Sequence, residues 1–216
     1  MELAFGICGI LGGLVMAAAD ILLDLKGRGD TTLGKNQLIH TNWEKMHPAR
    51  FRWSIYLATV GAPLQTLGVT AMAMVMARKS LGFGLGFWLV CLAGLCGSFF
   101  IHTFICLLPV LYRALRPRYT LDTVDTVINT LYDAVKLPFV VQYTCLVLLS
   151  GVGVIAAICA GVLPLSGWYG LLTPPVLTIF GLTLRAIKPT WFYDLPGIVM
   201  PSLGVGAIGL LAVLAL

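Results

Sequence analysis

Asp20 and Asp24 close the hydrophobic run Leu3–Leu25, LAFGICGILGGLVMAAADILLDL, which holds no other charge. An α-helix turns once in about 3.6 residues, so side chains four apart lie one above the other on a single face. A bilayer core of about 30 Å takes roughly 20 helical residues. Counted from Leu3, Asp20 falls within the hydrocarbon and Asp24 at its edge. An ionisable group at that depth is expensive unless it faces a cavity or a partner. Desolvation disfavours the ionised form, which makes Asp20 a candidate general acid, while Asp24, nearer water, keeps its charge. Two carboxylates in unequal surroundings can divide acid and base roles.

A second chemical group lies further along. His102 is the histidine inside an apolar segment, and His102, Cys106, Pro109 and Arg113 advance at helical spacing on one face. It is a candidate proton relay. Phe99, Phe100, Phe104, Tyr112 and Tyr143 fall near the same level, where ring faces can stabilise a cationic intermediate. Gln65 and Gln142 are amides within apolar runs, and Arg113 and Arg185 stand at segment ends; these four complete the candidate substrate-binding set. His40, Glu44 and His47 share a helical spacing that could bind a metal. Pro48 follows at once and no second ligand cluster exists, so the segment is read as a surface cap and no metal or cofactor is assigned.

These residues must be positioned by membrane helices. Hydrophobic residues make up 59% of the 216 and charged residues 11%. No soluble domain of this size hides so much apolar surface, so the bilayer is the expected solvent. The sequence predicts an all-α bundle over 1–216 with six spans, at about 3–25, 53–77, 82–112, 137–162, 168–186 and 195–216. A short amphipathic helix is expected at about 120–135, lying in the interface, because Leu121, Val124, Ile128, Leu131 and Val135 form one stripe. Pro63, Pro138 and Thr173-Pro174-Pro175 mark expected breaks in the backbone ladder. The six cysteines show no CxxC spacing and read as small membrane-core residues. The first segment is too long and too acidic at its end for a cleaved signal peptide.

The basic residues cluster in the first, third and fifth loops, and the other side has only Arg78 and Lys79. By the positive-inside rule the three basic loops are cytoplasmic and both termini lie outside, as in a bacterial cytoplasmic membrane. This distribution fits contact with membrane lipids, and nucleic acid is set aside. The polar groups converge on one leaflet. A transporter needs polar lining through the whole thickness and commonly an internal repeat, and none is found. The expected feature is therefore a pocket open toward the cytoplasmic leaflet, apolar at its deep end. Such a slot suits protonation of an alkene or epoxide in an isoprenoid chain, followed by cyclisation or isomerisation. Two other readings stand beside it: a proton-coupled or lipid-like-substrate transporter, and a non-catalytic scaffold in which Asp20 pairs with Lys136 or Arg185.

The GG-rich first helix ending in Asp20, Phe99-Phe100-Ile101-His102 running into Leu108-Pro109-Val110-Leu111-Tyr112, and the late Pro174-Pro175 and Leu195-Pro196-Gly197 resemble a family of small six-helix bacterial membrane proteins of largely unassigned activity. In size, helix-borne carboxylates and aromatics the chain also resembles, more loosely, the small membrane-bound terpene cyclases. That likeness implies acid-initiated chemistry on an isoprenoid. The DDxxD and DxDD signatures of soluble terpene cyclases are absent.

Overall fold

Glycine decides how closely the first helices meet. In the computed structural model, which describes residues 1–187 and 194–216, helix α1 (Glu2–Asp24) packs between α2 (Ala49–Lys79) and α7 (Leu195–Leu214). A Cβ placed on Gly9 would lie 2.5 Å from Gly68 Cα of α2, and one on Gly13 would lie 2.5 Å from Gly206 Cα of α7. Backbone therefore meets backbone, the packing that small residues permit between membrane helices. The other helices among the described residues are α3 (Leu81–Leu115), α4 (Leu121–Gln142), α5 (Ser150–Cys159) and α6 (Pro174–Ile187). α3 packs on α2 and α4, and α6 on α7. One apolar core (Met72, Met76, Phe87, Cys91, Val154, Ile208 and Leu211 among its members) joins α2, α3, α5 and α7.

Among the described residues, five helical stretches are long and apolar enough to cross a membrane: α1, α2, α3, the continuous Leu121–Cys159 and α7. Over the expected span at 168–186 the chain forms a 3₁₀ turn, Gly167–Leu172, followed by the shorter apolar helix α6, with the break at Thr173-Pro174 as the sequence suggests. Residues 188–193, between the expected spans at 168–186 and 195–216, lie outside the described residues.

The interfacial helix is not a separate element. α4 runs from Leu121 through Pro138 to Gln142 and continues by a π-helical turn, Tyr143–Leu149, into α5. Nothing between Val135 and Pro138 favours a turn, so the proline removes one hydrogen bond without ending the helix. Part of its apolar stripe is covered by protein: Val124 and Ile128 pack with Trp43, Phe51 and Tyr112, while Leu131 is exposed.

That cover is the first loop. Strands β1 (Thr32–Leu33) and β2 (Ile39–His40) form a short antiparallel hairpin, followed by a 3₁₀ turn, Thr41–Glu44. Two arginines tie it down. Arg50 donates to the carbonyls of Ile21, Leu22 and Leu25 (3.1, 3.1 and 2.9 Å), a cation on the negative end of α1. Arg113 donates to the carbonyls of Trp43, Glu44 and Met46 (2.9, 2.7 and 2.6 Å). At the other end of the bundle Arg78 pairs with Glu2.

Candidate functional site

A cavity of about 460 Å³ lies among α1, α2, α3, α4, α6 and α7. Along α1 its wall runs from Met16 through Asp20 to Asp24, about 12 Å of helix. One end is charged, with Asp24, Lys26, His40, Arg185 and Asp194. Two ion pairs stand there, Lys26–Asp24 at 3.0 Å and Arg185–Asp194 at 2.8 Å. The other end holds Met16, Leu146 and Val205, together with Gln65 and Ser98. The expected apolar floor is thus corrected: Gln65 and Ser98 are buried amide and hydroxyl groups, and Gln65 Nε2 donates to the Ser202 carbonyl at 3.2 Å.

Asp20 sits midway. Ser202 Oγ on α7 donates to Asp20 Oδ2 at 2.5 Å, and His102 Nδ1 on α3 stands 3.4 Å from Oδ1. His102 Nε2 is 2.8 Å from Ser54 Oγ on α2, and Ser54 Oγ donates to the Ala19 carbonyl at 2.7 Å. Cys106 Sγ donates to the same hydroxyl at 3.4 Å. The glycine contacts of α1 hold α2 and α7 near enough for these short side chains to reach. Among the described residues Asp20 makes no ion pair with Lys136 or Arg185, the cations expected for a purely structural role.

The order Ser54–His102–Asp20 is that of a Ser–His–Asp hydrolase. Access runs the other way. Asp20 and His102 line the cavity, whereas Ser54 is fully buried and its proton is committed to a backbone carbonyl. The reactive end of this chain of contacts is the carboxyl group.

Of the residues singled out from sequence, Asp20, Asp24, His102, Gln65, Gln142, Tyr143 and Arg185 come together on the cavity wall. Phe99, Phe100, Phe104, Tyr112 and Arg113 do not. At 100° per residue Phe100 and Phe104 lie about 160° and 200° from His102. Phe100 is 53% exposed and Phe99 38%, both directed outward, and Phe104 packs under the first loop. Tyr112 donates to Glu44 Oε1 at 2.8 Å and Arg113 is spent on loop carbonyls. The aromatic wall is instead Tyr132, Phe139 and Tyr143, with ring centroids 6.2 and 4.8 Å apart along α4 and the π turn. Their spacing of seven and four was visible in the sequence to a reader who kept that helix continuous. Ser54 and Ser202 carried no such signal beyond being hydroxyls in apolar runs.

His40, Glu44 and His47 point three ways: to Asp30, to Tyr112 and to the Ala49 amide. Among the described residues no group of three or more His, Cys, Asp or Glu is arranged to hold a metal ion.

A family of unknown function, DUF6796, matches residues 2–216, and the chain belongs to it. No curated protein and no solved structure matches the chain.

Proposed function

For this member of the DUF6796 family, we propose a membrane-embedded enzyme in which Asp20 and His102 exchange a proton with an isoprenoid or similarly apolar substrate and drive its cyclisation or isomerisation. The observation that carries the reading is a carboxyl and an imidazole in contact, both on the wall of a cavity within the size range of small-molecule sites. The pair holds one proton between Oδ1 and Nδ1. With the proton on Asp20, the acid donates to Nδ1. With it on His102, the imidazolium donates to the carboxylate. Either arrangement leaves the unit neutral, and a neutral unit is the least costly in a bilayer.

The reaction balances without an oxidant or reductant. Asp20 gives its proton to an alkene carbon or an epoxide oxygen; the cation is attacked by a second double bond or shifts along the chain; a neighbouring carbon then loses a proton to the pair. Tyr132, Phe139 and Tyr143 offer ring faces to the cation. Gln65 and Ser98 offer hydrogen bonds to an oxygen on the chain.

Six spans with both termini outside, basic loops in the cytoplasm and a bacterial inner-membrane location complete the proposal. The charged mouth then opens at the inner leaflet, where an apolar substrate arrives from lipid. A transporter would need the polar lining to continue beyond Gln65 and Ser98; past them Gly9 meets Gly68, and Gly13 meets Gly206.

The test supplies prenylated substrates to the protein in lipid nanodiscs made up in D₂O. The expected product is cyclised or isomerised and carries deuterium from solvent. Asp20→Asn should lower turnover roughly 10²–10⁴-fold with its thermal midpoint unchanged. Full turnover in that variant, or loss of its fold, would refute the assignment of Asp20 as the acid.

A further inference from the structure

Ser54 belongs to the network yet touches none of the cavity, and its hydrogen bonds determine what His102 can do. We propose that Ser54 is a positioning residue: it holds the proton of His102 on Nε2, so that Nδ1 is the nitrogen that works with Asp20. The inference rests on the acid–base reading of that pair.

Proton accounting around one hydroxyl carries it. A backbone carbonyl is only an acceptor, so the 2.7 Å contact between Ser54 Oγ and the Ala19 carbonyl is a hydrogen bond only if Ser54 donates. Otherwise two lone pairs would face each other at that distance. A serine hydroxyl has one proton and two lone pairs. With the proton committed to Ala19, Oγ can meet His102 Nε2 at 2.8 Å only as an acceptor, and Nε2 must carry hydrogen. Cys106 Sγ fills the second lone pair at 3.4 Å. Nε2 is then a fixed donor in both states of the pair, and the mobile proton lies on the Nδ1 side.

The arrangement also ties the acid to its relay. Ala19 precedes Asp20 in α1, so the hydroxyl on α2 grips the backbone of the acid and the ring of its partner together. Ser54 is fully buried, which keeps water from competing for either bond.

The experiment is ¹⁵N NMR of histidine-labelled full-length protein in nanodiscs, with His40→Gln and His47→Gln to identify the His102 signals. In the wild type, His102 Nε2 should remain protonated across the pH range while Nδ1 shows the shift of a shared proton. Ser54→Ala should move a measurable population to the Nδ1–H tautomer and lower turnover roughly 10–100-fold, the usual effect of losing a group that orients a working side chain. Ser54→Thr, which keeps the hydroxyl, should restore both. An unprotonated Nε2 in the wild type, or an unchanged tautomer in Ser54→Ala, would overturn the proposal. Because the spectra need no substrate, a failed turnover assay leaves this result standing on its own.

Discussion

Among the described residues stand two aspartate–histidine pairs, and they are built for different ends. In the first loop, His40 Nδ1 lies 2.6 Å from Asp30 Oδ2, while Asp30 Oδ1 accepts the Asn42 amide at 3.0 Å and the Thr41 hydroxyl at 3.3 Å. Fixed donors occupy both oxygens, and the carboxylate anchors the turn from hairpin to 3₁₀ helix. In the membrane pair, Asp20 meets one hydroxyl on Oδ2 and a looser imidazole on Oδ1, and it borders open space. The residue types are the same. The difference lies in how many donors are fixed on the carboxylate and in what its free side faces. A saturated carboxylate holds structure; one with a single fixed donor and a cavity beside it can exchange a proton.

Parallel asparagine substitutions break this comparison most directly. Asp20→Asn should lower turnover roughly 10²–10⁴-fold while the thermal midpoint stays near the wild type. Asp30→Asn should leave turnover near the wild type and destabilise the loop by about 1–3 kcal/mol, the effect of removing one partner from buried donors. Chemical denaturation read beside the turnover assay separates the two. Equal losses of activity in both variants would erase the distinction.

A smaller effect tests what positions the membrane pair. Gly13 meets Gly206 backbone to backbone, one turn of α7 beyond Ser202. Gly13→Val should cost about 1–3 kcal/mol by overpacking and push α7 away, opening the Ser202–Asp20 contact. The Asp30–His40 pair, formed within one loop, should not respond. Cysteine cross-linking between α1 and α7, with ¹⁵N signals of His40 as the control, measures both.

How much of this was legible beforehand follows from the physics of each signal. A charge in hydrocarbon is conspicuous, so Asp20, Asp24 and His102 could be read from type and depth alone. The long apolar runs likewise mark α1, α2, α3 and α7. Direction around a helix was harder. Phe99 and Phe100 are close to His102 in sequence, yet the rings on the cavity wall are Tyr132, Phe139 and Tyr143, thirty residues and more further on. Apolar residues facing lipid and apolar residues facing a cavity look alike in composition, because lipid and core are equally apolar. The hydroxyls of Ser54 and Ser202 were invisible for a related reason: a lone serine in a membrane helix is common, and its partner is chosen only by packing. The loop misled through proximity in sequence, since His40, Glu44 and His47 suggest a shared ligand while their partners come from three different directions.

The finest difference between the two pairs is in pH. Burial, helped by the charge of Lys26, lowers the pKa of His40 from its ordinary 6.5 despite the pull of Asp30. The ring is thus neutral in the folded loop and donates Nδ1–H to the carboxylate. In the unfolded loop it titrates near 6.5. As pH falls through that value the open loop binds a proton that the closed loop refuses, so closure is fully favoured above about 6.5 and weakens below it. Hydrogen exchange over residues 26–48, corrected for intrinsic rates, should therefore report more opening at about pH 5.5 than at about pH 7.5. His40→Gln, which keeps a donor but does not titrate, should remove the difference. Opening that instead increases from about pH 5.5 to about pH 7.5 in the wild type would mean that Asp30 outweighs burial and that His40 is charged in the closed loop.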